Sequence, residues 1–99
     1  MEIKAGTTDD IAEGSAKIIK AGEKEIAVFN SKGEFYAVGN SCPHRGGPLG
    51  EGYLNGDIVS CPLHDWQFDI RTGKCQMSPM ICVPTYKVEV RGEEVFVIV

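Results

Sequence analysis

Two short stretches of this sequence carry the side chains with metal-binding chemistry. Each supplies one thiol and one imidazole, Cys42 with His44 in the first and Cys61 with His64 in the second. His44 and His64 are the only histidines of the chain, and sixteen residues separate His44 from Cys61. Because thiolate and imidazole both bind transition metals, the four side chains predict one shared metal centre.

The mixed ligand types favour one kind of centre over its alternatives. Two thiolates and two imidazoles can hold a [2Fe–2S] cluster, with the thiolates on one iron and the imidazoles on the other. Structural zinc sites more often pair Cys with Cys and His with His, whereas each stretch here mixes the two types. Two other interpretations stay open: core thiols and histidines without a ligand role, or a Cys–His nucleophile pair, which needs a third polar group to orient it.

Composition and charge limit the classes of function. The 99 residues carry a net charge of −4 and a sequence pI near 5.1, which argues against nucleic acid or anionic membrane as the main partner, since both require a basic face. No apolar run approaches the roughly 20 residues of a membrane span, and the N-terminus lacks a signal-peptide core. We therefore expect one domain over residues 1–99, located in the cytoplasm.

The two remaining cysteines, Cys75 and Cys82, have no neighbouring histidine. A disulfide between them is chemically possible, but the reducing cytoplasm disfavours it. We expect both to be small, half-buried residues without a ligand role.

Hydrophobic periodicity predicts strands nearly throughout the chain and no long amphipathic helix. The predicted strands span 2–5, 15–20, 24–30, 34–38, 66–69, 74–76, 85–91 and 94–99, with a further hairpin over 53–60. Turns that contain glycine separate most of them. Many short strands at regular spacing predict an all-β sandwich or barrel.

The hairpin over 53–60 lies between the two ligand stretches. Its Asn55-Gly56 pair favours a two-residue type I′ turn. Since its strands run out from the first stretch and back to the second, we expect both stretches at the same end of the hairpin. The segment 77–84 contains Pro79 and Pro84, which argue against an interior strand, so we expect a covering loop there.

The pattern Cys42-x-His44-x16-Cys61-x2-His64 resembles the Rieske [2Fe–2S] family. The residues that follow, Arg45-Gly46-Gly47-Pro48-Leu49 and Asp65-Trp66-Gln67-Phe68-Asp69, resemble the soluble Rieske-type ferredoxins of bacterial ring-hydroxylating dioxygenases. The small Rieske-like subunit of assimilatory nitrite reductase is also similar.

The resemblance implies one [2Fe–2S] cluster per chain, with Cys42 and Cys61 on the inner iron and His44 and His64 on the outer one. It also implies a cluster-binding subdomain over about 39–82, inserted in a Rieske-type β-sandwich or barrel, with 78–84 as a proline-containing loop over the cluster.

Four residues depart from the members of this family found in respiratory complexes. Gly47 and Leu63 stand where those proteins carry the two cysteines of a disulfide. Trp66 and Phe68 stand where those proteins carry Ser and Tyr, whose hydroxyls donate hydrogen bonds to sulfur. Because such bonds raise a reduction potential, we expect a value in the lower part of the range of about −150 to +300 mV.

The absence of further histidines limits the function that the resemblance implies. A terminal oxygenase needs a separate mononuclear iron, commonly held by two His and a carboxylate. We therefore expect a one-electron carrier and no enzyme, with a flavoprotein reductase as donor and a terminal oxygenase or similar reductase as acceptor. The alternatives are a fixed electron-transfer subunit of a nitrite-reductase-type enzyme and a structural or sensor module that depends on the cluster.

Overall fold

The computed structural model describes residues 1–43, 46–63, 65–78 and 80–99. Within these ranges the strands are β1 (Glu2–Thr7), β2 (Ala16–Ala21), β3 (Lys24–Ser31), β4 (Glu34–Gly39), β5 (Tyr53–Asn55), β6 (Ile58–Ser60), β7 (Gln67–Asp69), β8 (Thr85–Arg91) and β9 (Glu94–Ile98). The helical segments in the same ranges are two single 3-10 turns, Thr8–Asp10 and Leu49–Glu51, and neither has the length or apolar character to cross a bilayer. The predicted all-β class is confirmed.

The strands form one large and one small antiparallel sheet. The large sheet has the order β1-β9-β8-β4-β3-β2, and its two outer strands, β1 and β2, contact each other, so it nearly closes into a barrel. The small sheet has the order β5-β6-β7 and lies in sequence between β4 and β8. The turn between β3 and β4 has positive φ at both Lys32 (54°) and Gly33 (88°), as a type I′ turn requires.

Strand β3 explains how the two sheets share their apolar cores. Ile26 and Val28 pack in a cluster with residues of β1, β4 and β9. The intervening Ala27 and Phe29 pack on the other face of β3, in a second cluster with residues of the small sheet. This second cluster, called the inter-sheet core below, consists of Ala27, Phe29, Val38, Cys42, Leu49, Val59, Cys61, Phe68, Ile70, Cys75 and Val83. A strand that is buried on both faces accounts for the unbroken apolar run over 26–29.

Two local predictions are wrong. The hairpin turn consists of Gly56 and Asp57, not Asn55 and Gly56, because Asn55 pairs with Ile58 as the last residue of β5. Only Gly56 has positive φ (63°) in this turn, which suits type II′ rather than type I′. The predicted strand over 74–76 is reduced to two isolated bridges, Lys74 with Cys82 and Cys75 with Phe68.

The same bridges place the two remaining cysteines. Lys74 lies opposite Cys82, so Cys75 points to the other face. Cys75 is buried in the inter-sheet core and Cys82 is exposed, so the expectation that both are half-buried is wrong. None of the four cysteines, all of which are described, is in a disulfide.

Candidate metal centre

The two predicted ligand stretches form loops at the same end of the small sheet. The first ligand loop, residues 42–47, follows β4, and the second, residues 61–66, connects β6 to β7. Cys42 and Cys61, the first residue of each loop, are both buried, with 2% and 1% of their surface exposed. The other two predicted ligands, His44 and His64, lie outside the described residues, as does Arg45.

Each cysteine closes its loop with the same pair of backbone hydrogen bonds. In the first loop, the Cys42 N–H donates to the Gly47 carbonyl (2.9 Å) and the Gly46 N–H donates to the Cys42 carbonyl (2.6 Å). In the second loop, the Cys61 N–H donates to the Trp66 carbonyl (2.8 Å) and the Asp65 N–H donates to the Cys61 carbonyl (3.0 Å). The donors and acceptors stand at the same offsets from the cysteine in both loops. At their described residues, the two loops therefore have matching backbone hydrogen bonds around the two cysteines.

The repeat extends to backbone dihedral angles. Gly46 and Asp65 stand four residues after their cysteines, and both have positive φ, 71° and 56°. Asp65 is thus one of only two non-glycine residues with positive φ in the described chain. Sequence reasoning missed this equivalence, because the sequence marks a left-handed position at glycine but not at aspartate.

The two loops contact each other through Gly47. A Cβ added at Gly47 would lie 2.7 Å from the Cys61 Sγ and 3.0 Å from the Leu63 Cγ. A contact below 3 Å leaves no room for a side chain, so only glycine lets the first loop approach the thiol of the second. Gly47 and Leu63 are therefore neighbours. These are the two positions at which respiratory members of the Rieske family carry the cysteines of a disulfide.

A buried asparagine anchors the base of the first ligand loop. The Asn40 Oδ1 accepts a hydrogen bond from the Gly50 N–H (2.7 Å), and its Nδ2 donates to the Glu25 Oε1 (3.2 Å). Its backbone donates to the Glu25 carbonyl and accepts from the Leu49 N–H. Asn40 is 2% exposed and joins both ends of the loop to the start of β3. Sequence reasoning missed this role, for which no local signal exists.

The segment after β7 returns along the second ligand loop. The Cys75 N–H donates to the Ile81 carbonyl (2.9 Å), which holds residues 80–84 beside the inter-sheet core. The Gln67 N–H donates to the Met77 Sδ (3.4 Å), at the residue that follows Trp66. Pro79, in the predicted covering loop, lies outside the described residues.

A polar cluster holds the opposite end of the small sheet. The Ser31 hydroxyl, at the end of β3, donates to the Asp57 Oδ1 (2.7 Å) in the β5–β6 turn. Arg71 donates to both carboxylate oxygens of Asp69, at 3.1 and 3.0 Å, and lies 3.4 Å from Asp57. These Arg71 hydrogen bonds hold the pKa of the Asp69 carboxyl below its usual value. The cluster fixes the small sheet to β3 at the end away from the ligand loops.

The donor set of the described residues fits part of an iron–sulfur centre. Two soft thiol donors, Cys42 and Cys61, lie in an apolar cluster, and the backbone of the first loop comes close to the Cys61 sulfur at Gly47. These conditions suit thiolate-bound iron. No group of three or more His, Cys, Asp or Glu side chains suited to a metal is found in the described ranges. Those ranges contain only two of the four predicted ligands.

Known proteins resemble this chain over nearly its whole length. A family model for the Rieske [2Fe–2S] domain matches residues 1–87. The ferredoxin component of the naphthalene 1,2-dioxygenase/salicylate 5-hydroxylase systems of Ralstonia sp. is 38% identical over 94 residues, which cover 94% of this chain and 90% of that protein.

Two solved structures extend the comparison to three dimensions. One is a complex of reduced oxygenase and oxidized ferredoxin in carbazole 1,9a-dioxygenase, where the match has a TM-score of 0.90 and 32% identity and covers 97% of this chain and 91% of the other. The second is an NADH-dependent nitrite reductase small subunit from Mycobacterium tuberculosis, with a TM-score of 0.91, 24% identity and coverage of 98% and 93%. At that identity the second match is evidence for the fold alone.

Proposed function

The chain belongs to the Rieske [2Fe–2S] domain family, and from this membership we propose that Cys42, His44, Cys61 and His64 are the four ligands of its cluster. The observation that carries the proposal is the pair of buried thiols, presented by two loops of the same backbone design and joined at the contact of Gly47 with Cys61. Residues 39–82 then form the cluster-binding part of a single domain.

The ligand set determines what the site does chemically. When bound, the cluster accepts and releases one electron. Two ferric ions, two sulfides and two thiolates sum to zero charge, and neutral imidazoles leave that sum unchanged. An arriving electron is therefore less strongly repelled than at an all-cysteine cluster. This explains why His-ligated clusters have reduction potentials of about −150 to +300 mV, whereas all-cysteine plant-type clusters have about −400 mV.

The protein surroundings control water and hydrogen bonding at the site. Both thiols are packed in the inter-sheet core, with Trp66 partly buried against it. The N–H groups of Cys42, Gly46, Cys61 and Asp65 already close the two loops. Other backbone N–H groups of the loops, with a close approach at Gly47, are the expected hydrogen-bond donors to sulfur. Neither Trp66 nor Phe68 adds a hydroxyl, so the midpoint potential belongs in the lower part of the range.

The function is that of an electron carrier within a multicomponent oxygenase system. Two relatives, at 38% and 39% identity, are ferredoxin components or subunits of dioxygenase systems. The donor in our proposal is a flavoprotein reductase and the acceptor a terminal oxygenase, the kind of partner that accompanies ferredoxin in the carbazole 1,9a-dioxygenase complex. The proposed location is the cytoplasm, whose reducing conditions keep cysteines as thiols. The alternative, a fixed subunit of a nitrite reductase, has support from fold similarity only.

Electron paramagnetic resonance of the reduced protein tests the ligand set. We expect the average g value to be lower than that of all-cysteine clusters. Cys42→Ser and His64→Ala should lose this signal, whereas Cys82→Ser, at an exposed cysteine outside the loops, should retain it. A spectrum of the all-cysteine type would refute the assignment, and so would loss of the expected signal in Cys82→Ser.

Electron transfer between purified components tests the carrier role. The protein should accept electrons from a reductase, deliver them to an oxygenase and show no turnover alone. Stable co-purification with one large reductase subunit, without exchange, would instead support the fixed-subunit alternative.

A further inference from the structure

The left-handed position of the second ligand loop is occupied by an unexpected residue. Gly46 turns the first loop without steric cost, because glycine has no Cβ. Asp65 turns the second loop at φ 56°, where any L-residue meets a steric penalty that is smallest for Asn and Asp. The chain therefore accepts some strain to place a carboxylate at a position that glycine fills in the matching loop.

Within the described part of the chain, the Asp65 carboxylate makes no contact that holds the fold. The residue is exposed, and its backbone N–H, not its side chain, donates to the Cys61 carbonyl (3.0 Å). No hydrogen bond or ion pair to its carboxylate is found among the described residues. By contrast, the carboxylates of Asp57 and Asp69 are both engaged by Ser31 or Arg71. Asp65 thus adds a negative charge to the loop directly after His64.

We propose that Asp65 is a positioning and redox-tuning residue of the metal centre. Its left-handed backbone closes the second loop around Cys61, and its carboxylate lowers the reduction potential of the cluster. This inference rests on the proposed function, in which His64 is a ligand of the outer iron. The reduced cluster carries one more negative charge than the oxidised one, so a neighbouring anion destabilises the reduced form. Because Asp65 is exposed, the effect should weaken as salt screens its charge.

Two substitutions separate charge from backbone geometry. Asp65→Asn removes the charge and keeps a side chain tolerated at positive φ, while Asp65→Gly removes both the charge and the strain. The matched control is Asp9→Asn, at an exposed aspartate. Its neighbour Thr8 donates its N–H to the Glu93 carbonyl, so Asp9 lies beside the β8–β9 turn. That turn lies at the end of β8 away from the ligand loops.

The midpoint potential of the loaded protein, measured at low and high ionic strength, is the main readout. We expect Asp65→Asn and Asp65→Gly to raise it by the same amount, with a smaller rise at high salt and no shift in Asp9→Asn. An unchanged potential in both variants, a shift in only one of them, or a shift that salt does not reduce would overturn the role of the charge.

The thermal unfolding of the loaded protein, followed by circular dichroism, tests the backbone role separately. Asp65→Gly should unfold at or above the temperature of the unsubstituted protein, and Asp65→Ala below it. Equal melting temperatures for the Gly and Ala variants would overturn the positioning role. A protein that binds no His-ligated cluster would instead refute the proposed function itself, before any Asp65 variant is compared.

Discussion

Gly47 lies against the thiol of Cys61, so closely that a Cβ on the glycine would stand 2.7 Å from the sulfur. The two residues belong to different ligand loops, and the β5–β6 hairpin separates these loops in the sequence. Because Cys61 is a proposed cluster ligand, the space at residue 47 affects the proposed metal centre as well as the first loop. A substitution there therefore tests the centre directly.

Gly47→Ala should prevent stable cluster loading. The added methyl group has to displace the Cys61 Sγ or the Leu63 side chain, and overpacking of this kind costs about 1–3 kcal/mol of stability. Cluster absorbance after reconstitution measures loading, and circular dichroism of the cluster-free protein shows whether the fold survives. The control is Gly22→Ala, in an open turn at φ 66°, which should lose some stability but load normally. Normal loading of Gly47→Ala would show that the close approach is not required.

Asn40→Ala should weaken cluster binding through the base of the first ligand loop. The substitution leaves the half-buried Gly50 N–H without its side-chain acceptor, at a cost of about 1 kcal/mol. Urea unfolding measures this loss, and the rate of cluster release to a chelator measures the effect on the site. Asn55→Ala, at an exposed asparagine of β5, is the matched control and should change neither quantity. Equal release rates for the two variants would contradict the anchoring role.

The elements that the sequence predicted well are those with a local signal. Strand β8 was predicted with its observed bounds, because its residues alternate between apolar and charged. Cys42 and Cys61 were singled out as ligands because of their spacing and their neighbouring histidines, and this assignment stays a prediction. The hairpin turn was misplaced by one residue, since Asn-Gly and Gly-Asp both suit two-residue turns and the cross-strand register decides between them.

The features that the sequence could not predict depend on tertiary contacts. Nothing local distinguishes the buried Asn40 from the exposed Asn55, because the partners of Asn40 come from β3 and from the end of its own loop. The strand expected over 74–76 forms only isolated bridges, Lys74 with Cys82 and Cys75 with Phe68, and both partners are supplied by other segments of the fold. The left-handed Asp65 becomes apparent only when the two ligand loops are compared.

Asp69→Asn should lower the free energy of unfolding at neutral pH and make that free energy depend less on pH in acid. Arg71 hydrogen bonds lower the pKa of Asp69 in the folded protein, so at about pH 4 the unfolded state binds more protons than the folded state. The stabilisation is fully present above the unfolded pKa and is lost as pH falls through the folded pKa. We expect a loss of about 1–2 kcal/mol at neutral pH that diminishes below about pH 4.

Urea denaturation between pH 7 and pH 2.5 measures the effect of Asp69→Asn. The control is Glu94→Gln, which removes the carboxylate from an exposed pair with Lys4 and should leave stability nearly unchanged. A variant whose stability falls with acid as steeply as that of the unsubstituted protein would show that Asp69 does not contribute to the acid dependence.

Phe68→Tyr should raise the midpoint potential of the cluster. Phe68 is fully buried in the inter-sheet core with both thiols, at the position where the respiratory members of the family carry a tyrosine. A buried hydroxyl requires an acceptor, and a hydrogen bond to sulfur stabilises the more negative, reduced state. Voltammetry at neutral pH should place the unsubstituted protein below about +150 mV, within the lower part of the family range, and the variant above the unsubstituted protein.

The control for Phe68→Tyr is Phe35→Tyr, at a half-buried position in the other core cluster. It adds the same hydroxyl away from the thiols, so it should leave the potential unchanged. Absorbance of the reconstituted proteins confirms that both variants are loaded before their potentials are compared. A loaded Phe68→Tyr protein with an unchanged potential would show that the missing hydroxyl does not set the lower value.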